Sequence, residues 1–102
     1  MLYFYLKMYQ DLNPILSKLS VLPDNKKKHL LAKLSTSYRL GLRSLVLKET
    51  SFENKSEMER LFLKKGDDGL MEFGLVNITN FQEKLDQTIN QIHSTFLKSL
   101  NI

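Results

Sequence analysis

The sequence predicts a mainly α-helical protein, a single domain over residues 1–102 built as an antiparallel bundle of about four helices. Apolar residues recur at three- and four-residue spacing over long stretches. Only two prolines and four glycines interrupt them, and 102 residues supply one hydrophobic core, not two. The runner-up is an α+β arrangement with an N-terminal strand and a hairpin over residues 60–76.

In residues 2–20, Leu2, Tyr5, Leu6, Tyr9, Leu12, Leu16 and Leu19 fall on one stripe, with Tyr3, Lys7, Gln10, Asp11, Pro14, Ser17 and Lys18 opposite. Pro14 lacks a donor and crowds the preceding turn, so this element is expected to kink there or to be two short helices sharing a face. Leu2, Phe4, Leu6 and Met8 also alternate as strand residues do, but only the helical phase continues past residue 9. A second apolar band of Phe4, Met8 and Ile15 widens the arc to about 160°, where one core contact needs about 100°. One neighbouring helix cannot cover that arc.

Pro23, with Asp24 or Asn25 as a cap, opens the second helix, which runs to about Glu49 with Leu30, Leu31, Leu34, Tyr38, Leu42 and Leu45 on one face. Gly41 sits on that face with Ser37 and Ser44 nearby, which predicts close approach of another helix. A short helix holding Met58, Leu61 and Phe62 is expected to stop at Gly66, with Lys64 and Lys65 at its carbonyl end. Beyond Gly66 an irregular loop is expected. The rival is a hairpin turning on Gly66-Asp67-Asp68-Gly69, since Met71, Phe73 and Leu75 alternate. The last helix, capped by Asn77 or Thr79, carries Phe81, Leu85, Ile89, Ile92, Phe96 and Leu100 along one face.

The absence of cysteine excludes disulfides, iron–sulfur clusters, thiolate zinc sites and a cysteine nucleophile. Two histidines cannot build a multi-histidine metal site within one chain. His93 lies at the margin of the last apolar stripe and reads as a boundary residue; His29 lies among lysines. Asp67, Asp68 and Glu72 lack the alternating ligand pattern of a calcium loop. The sequence holds no nucleophile elbow, phosphate-binding glycine loop, dinucleotide fingerprint or metalloprotease motif, so neither enzymatic activity nor a cofactor is expected. The apolar start, Met1 to Tyr9, is broken by Lys7 and followed by Gln10 and Asp11, unlike a signal peptide. A cytoplasmic location away from the membrane is the expectation.

Charge divides unevenly. Residues 1–50 hold nine Lys/Arg against three Asp/Glu, a balance of +6, and residues 51–102 hold six against eight, a balance of −2. Lys26, Lys27, Lys28, Lys33, Arg39 and Arg43 on the second helix make the phosphate-contacting surface of a nucleic-acid-binding regulator, the alternative function. The favoured function is a non-enzymatic protein-interaction module: a small adaptor, regulator or immunity-type inhibitor. Its interface is expected at Phe4, Met8, Ile15, Leu40 and Leu47, apolar residues outside the main stripes, with a second copy of the chain or another protein as partner and a homodimer preferred.

Overall fold

The computed structural model describes residues 15–100, and in it the apolar spacing of the sequence becomes four helices preceded by a short helical segment. Residues 15–19 are helical and are named α1 here; α2 spans Asp24–Glu49, α3 Lys55–Lys65, α4 Asp67–Asn77 and α5 Phe81–Leu100, with a single 3-10 turn at Phe52–Asn54. No strand occurs among the described residues, so the hairpin over 60–76 is corrected to two helices. The rival strand over residues 2–9 lies outside the described residues.

Pro23 precedes α2 with an extended backbone (φ −59°, ψ 152°), as a residue that cannot donate to a helix should. At the other end Thr50 stops α2: both its amide and its hydroxyl donate to the Val46 carbonyl. Between them Leu34, Tyr38, Leu42 and Val46 are buried at four-residue spacing. Helix α5 runs antiparallel beside this face. Lys84 pairs with Glu49 at 3.0 Å near one end, and Tyr38 meets His93 further along. Between these two contacts, a Cβ on Gly41 would sit 2.8 Å from Ile92 Cδ1 and 3.1 Å from Thr88 Cγ2, so the two helices lie close here and any larger residue would have to displace those side-chain tips.

Helices α3 and α4 fold back on one another across one residue, Gly66. Its φ of 65° lies in the left-handed region that glycine adopts without penalty, and its amide closes α3 onto the Phe62 carbonyl at 2.7 Å. Asp67 and Asp68 then occupy the first turn of α4, where their charge suits the helix dipole. The irregular loop expected after Gly66 is therefore a helix. Gly69, Leu70, Met71, Phe73 and Gly74 are all buried, whereas Leu75 and Val76 are apolar yet 46% and 79% exposed; glycines on the buried side and apolar residues on the exposed one blur the one-sided periodicity that marks a surface helix. Asn80 takes a positive φ of 56°, and α5 starts at Phe81, later than the expected caps at Asn77 or Thr79.

Two ion pairs lie on the surface of the α3–α4 hairpin: Arg60 with Glu57 at 2.6 Å, one turn apart within α3, and Lys65 with Glu72 at 2.7 Å, which ties α3 to α4. The hydrogen bond from Arg60 holds the Glu57 carboxyl below its ordinary range, and the hydrogen bond from Lys65, followed by its charge, does the same for Glu72. A carboxyl whose pKa is lower folded than unfolded contributes stability above its unfolded pKa and loses it as pH falls through the folded value. Acidification from neutral pH to below the carboxylate range is thus expected to lower the melting temperature, and the Glu57→Gln/Glu72→Gln variant to lose less over the same interval. Thermal denaturation followed by circular dichroism at a series of pH values checks this; parallel curves for the two proteins would contradict it.

Candidate functional site

Leu40 and Leu47, in the C-terminal half of α2, are each 58% exposed. Their seven-residue spacing is nearly two helical turns and puts them on one lane along α2. Lys26 and Lys33 continue that lane towards the N-terminus at the same spacing, and both are exposed. The lane therefore reads lysine, lysine, leucine, leucine over about 32 Å, taking 1.5 Å per residue.

Beside Leu47 lies an apolar groove of about 190 Å³ between α2, α3 and α4, lined by Arg43, Leu47, Met58, Glu59, Phe62 and Leu70. Met58 and Leu70 form its buried floor. The Arg43 guanidinium lies 5.3 Å from the centroid of the Phe62 ring and donates to Asp67 Oδ1 at 2.9 Å and Oδ2 at 3.4 Å. This fixes the wall of the groove. It also makes Arg43 a tether between α2 and α4, where the sequence pattern suggested a phosphate ligand. On α3, Leu63 is 85% exposed, adding a further apolar side chain without a cover.

A second groove, about 580 Å³, runs between α2 and α5 on the other side of the lane; Lys33, Ser37, Gly41, Thr88, Thr95 and Ser99 are among its lining. Several of its hydroxyls are already used within their own helices, Ser37 on the Lys33 carbonyl, Thr88 on the Lys84 carbonyl and Ser99 on the Phe96 carbonyl. Tyr38 and His93 line neither groove. Buried in the α2–α5 seam, they are joined by a hydrogen bond between the Tyr38 hydroxyl and His93 Nε2, their rings edge to face with centroids 5.4 Å apart. No three His, Asp or Glu gather as a potential metal site among the described residues, and no described helix is long and apolar enough to cross a membrane.

The expected interface residues separate. Leu40 and Leu47 stand exposed on α2, whereas Ile15 is fully buried inside this chain and is corrected to a core residue. The apolar arc that suggested an interface at Ile15 is covered there by the chain itself. Phe4 and Met8 lie outside the described residues. Of the basic residues, Lys26, Lys28, Lys33 and Arg39 are exposed and enter no ion pair among the described residues. Lys27 is half-buried and lies 3.7 Å from Asp24. The helical pattern placed Phe62 in the core and gave no sign that its ring, under Arg43, is the wall of an open groove; nothing in the local pattern links residue 43 to residues 62 and 67.

The chain matches no known protein family, no curated protein and no solved structure. The functional reading therefore stands on this surface alone.

Proposed function

We propose that the protein is a non-enzymatic protein-interaction module that binds through the exposed face of α2 and the adjoining α2–α3 groove. The observation that carries this is the exposure of Leu40 and Leu47 on one lane of a long helix, next to an apolar groove with a cation-stacked aromatic wall. Exposed single leucines are ordinary; two on one lane, beside a concave apolar floor, match the anchor-and-groove arrangement by which helical partners dock. Neither leucine supports the core, so a binding defect can be separated from a folding defect.

The Leu40→Ser/Leu47→Ser variant is expected to keep its stability within about 0.5 kcal/mol, as surface substitutions do, while losing association with a second copy or with amphipathic helical peptides. Urea denaturation gives the first quantity; sedimentation and fluorescence anisotropy give the second. If the native chain neither self-associates nor binds such peptides, or if the variant does so equally well, the reading is wrong.

A second reading rests on Lys26, Lys28, Lys33 and Arg39, which have no ion-pair partner among the described residues: contact with nucleic-acid phosphates. Binding of that kind falls steeply with salt, whereas association through the leucines does not. The commitment of Arg43 to Asp67 removes one of the cations on which it relied.

A further inference from the structure

We infer that the occupant of the α2 face is an acidic amphipathic helix from a different protein, apolar along one half of its docking edge and carboxylate-bearing along the other. This rests on the interaction reading proposed for the same face and names its partner class. The lane itself makes the choice. Lys26, Lys33, Leu40 and Leu47 lie in that order at one spacing, all exposed, with neither lysine in an ion pair among the described residues. Arg39 and Lys48, exposed and likewise without an ion pair among the described residues, flank the leucines. The only acids of α2 are Asp24 and Glu49 at its two ends, and Glu49 is held by Lys84.

A second copy laid along the whole lane fits it poorly in either orientation, and one shifted to pair only the leucines leaves the lysine half uncovered. A twofold axis perpendicular to α2 at the centre of the lane would set two lanes antiparallel, placing Lys26 against Leu47 of the copy and Lys33 against Leu40 of the copy. Each ammonium would then lose water without gaining a counter-charge. A twofold axis along α2 would set them parallel, bringing lysine against lysine. A helix with leucines opposite Leu40 and Leu47, and glutamates opposite Lys26 and Lys33, satisfies both halves. The groove beside Leu47 then receives the apolar end, against Met58, Phe62 and Leu70. Phosphates would satisfy the lysine half and leave the leucine half uncovered, so nucleic acid suits the lane less well.

The test uses the full chain and labelled synthetic helices of about three heptads, with two leucines and two glutamates at seven-residue spacing along one edge, in both orders, and matched peptides with lysine in place of glutamate. One order of the acidic peptide is expected to bind, at least tenfold more tightly than its lysine counterpart. Leu40→Ser/Leu47→Ser is expected to weaken that binding at least tenfold, and Lys26→Glu/Lys33→Glu at least fivefold, with the melting temperatures of both variants retained. Equal binding of acidic and basic peptides overturns the inference. So does tighter binding of a duplex DNA oligonucleotide than of the acidic peptide. A dimer of the chain abolished by the leucine variant, with no peptide bound, overturns this inference while leaving the interaction reading intact. A monomer that binds nothing removes both.

Discussion

Gly69→Ala is expected to destabilise the protein by about 3 kcal/mol, the upper end of the usual cost of overpacking, and to lower the melting temperature by on the order of 15 °C. An alanine Cβ at this position would fall on the carbonyl oxygen of Leu61, and its ideal position is 3.3 Å from Leu61 Cβ. A flexible side-chain tip could swing aside, but a main-chain carbonyl moves only with its helix. The substitution must therefore push α3 away from α4, and with it Phe62 and Met58, the wall and floor of the groove. The binding proposed for the α2 face should weaken together with stability. Gly66→Ala is the comparison: nothing beyond its chain neighbours lies within 4 Å of its added Cβ, and its cost is the backbone strain of a positive φ with ψ at −138°, about 1–3 kcal/mol. Equilibrium unfolding of the two variants ranks them. An alanine at residue 69 no more costly than one at residue 66 would show that the α3–α4 contact is looser than these distances imply.

Phe73→Ala is expected to cost about 3–5 kcal/mol, since deleting a buried aromatic ring forfeits its transfer free energy and leaves a cavity. Phe73 is among the largest fully buried side chains, at the middle of the short helix that packs on α2, α3 and α5. A domain of this size has about 5–15 kcal/mol in total, so the variant should be partly unfolded near physiological temperature or unfold at much lower urea. Phe73→Leu, which keeps most of the volume, should cost less than about 1.5 kcal/mol. The contrast with Leu40→Ser/Leu47→Ser matters for function. Substitution at residue 73 is expected to alter the proposed binding only through loss of the folded state, whereas substitution at residues 40 and 47 is expected to alter it in a protein that stays folded.

How far the sequence could be read depended on how each element is buried. Helix α5 was legible because its buried residues Phe81, Leu85, Ile89 and Phe96 leave a polar side, so the period of 3.6 is written into the residue types. Gly41 announced the α2–α5 approach because a glycine on an apolar face has few other uses. Helix α4 was not legible: its polar side holds little beyond Asp68 and Glu72, glycines at residues 69 and 74 stand on the buried side to admit its neighbours, and Leu75 and Val76 are apolar yet exposed, so residue type does not follow burial along it. Part of the candidate site was legible too, since Leu40 and Leu47 fall outside the α2 stripe and are exposed. Ile15 looked equivalent by the same criterion and is buried, because phase about a helix axis does not say how many neighbours arrive.

What the residues alone determined is the helical class, the extent of the two long helices, and the order of lysines and leucines along one lane of α2. These are properties of a helix and its own periodicity, set by residues within a few turns of each other. Tertiary structure decided the rest: that residues 67–77 are a helix buried along one side, that the Arg43 charge is spent on a carboxylate 24 residues away, and that a groove opens beside Leu47 while Ile15 is buried. Burial and pairing are settled by whichever surface comes to lie against a side chain, and that surface belongs to another part of the chain.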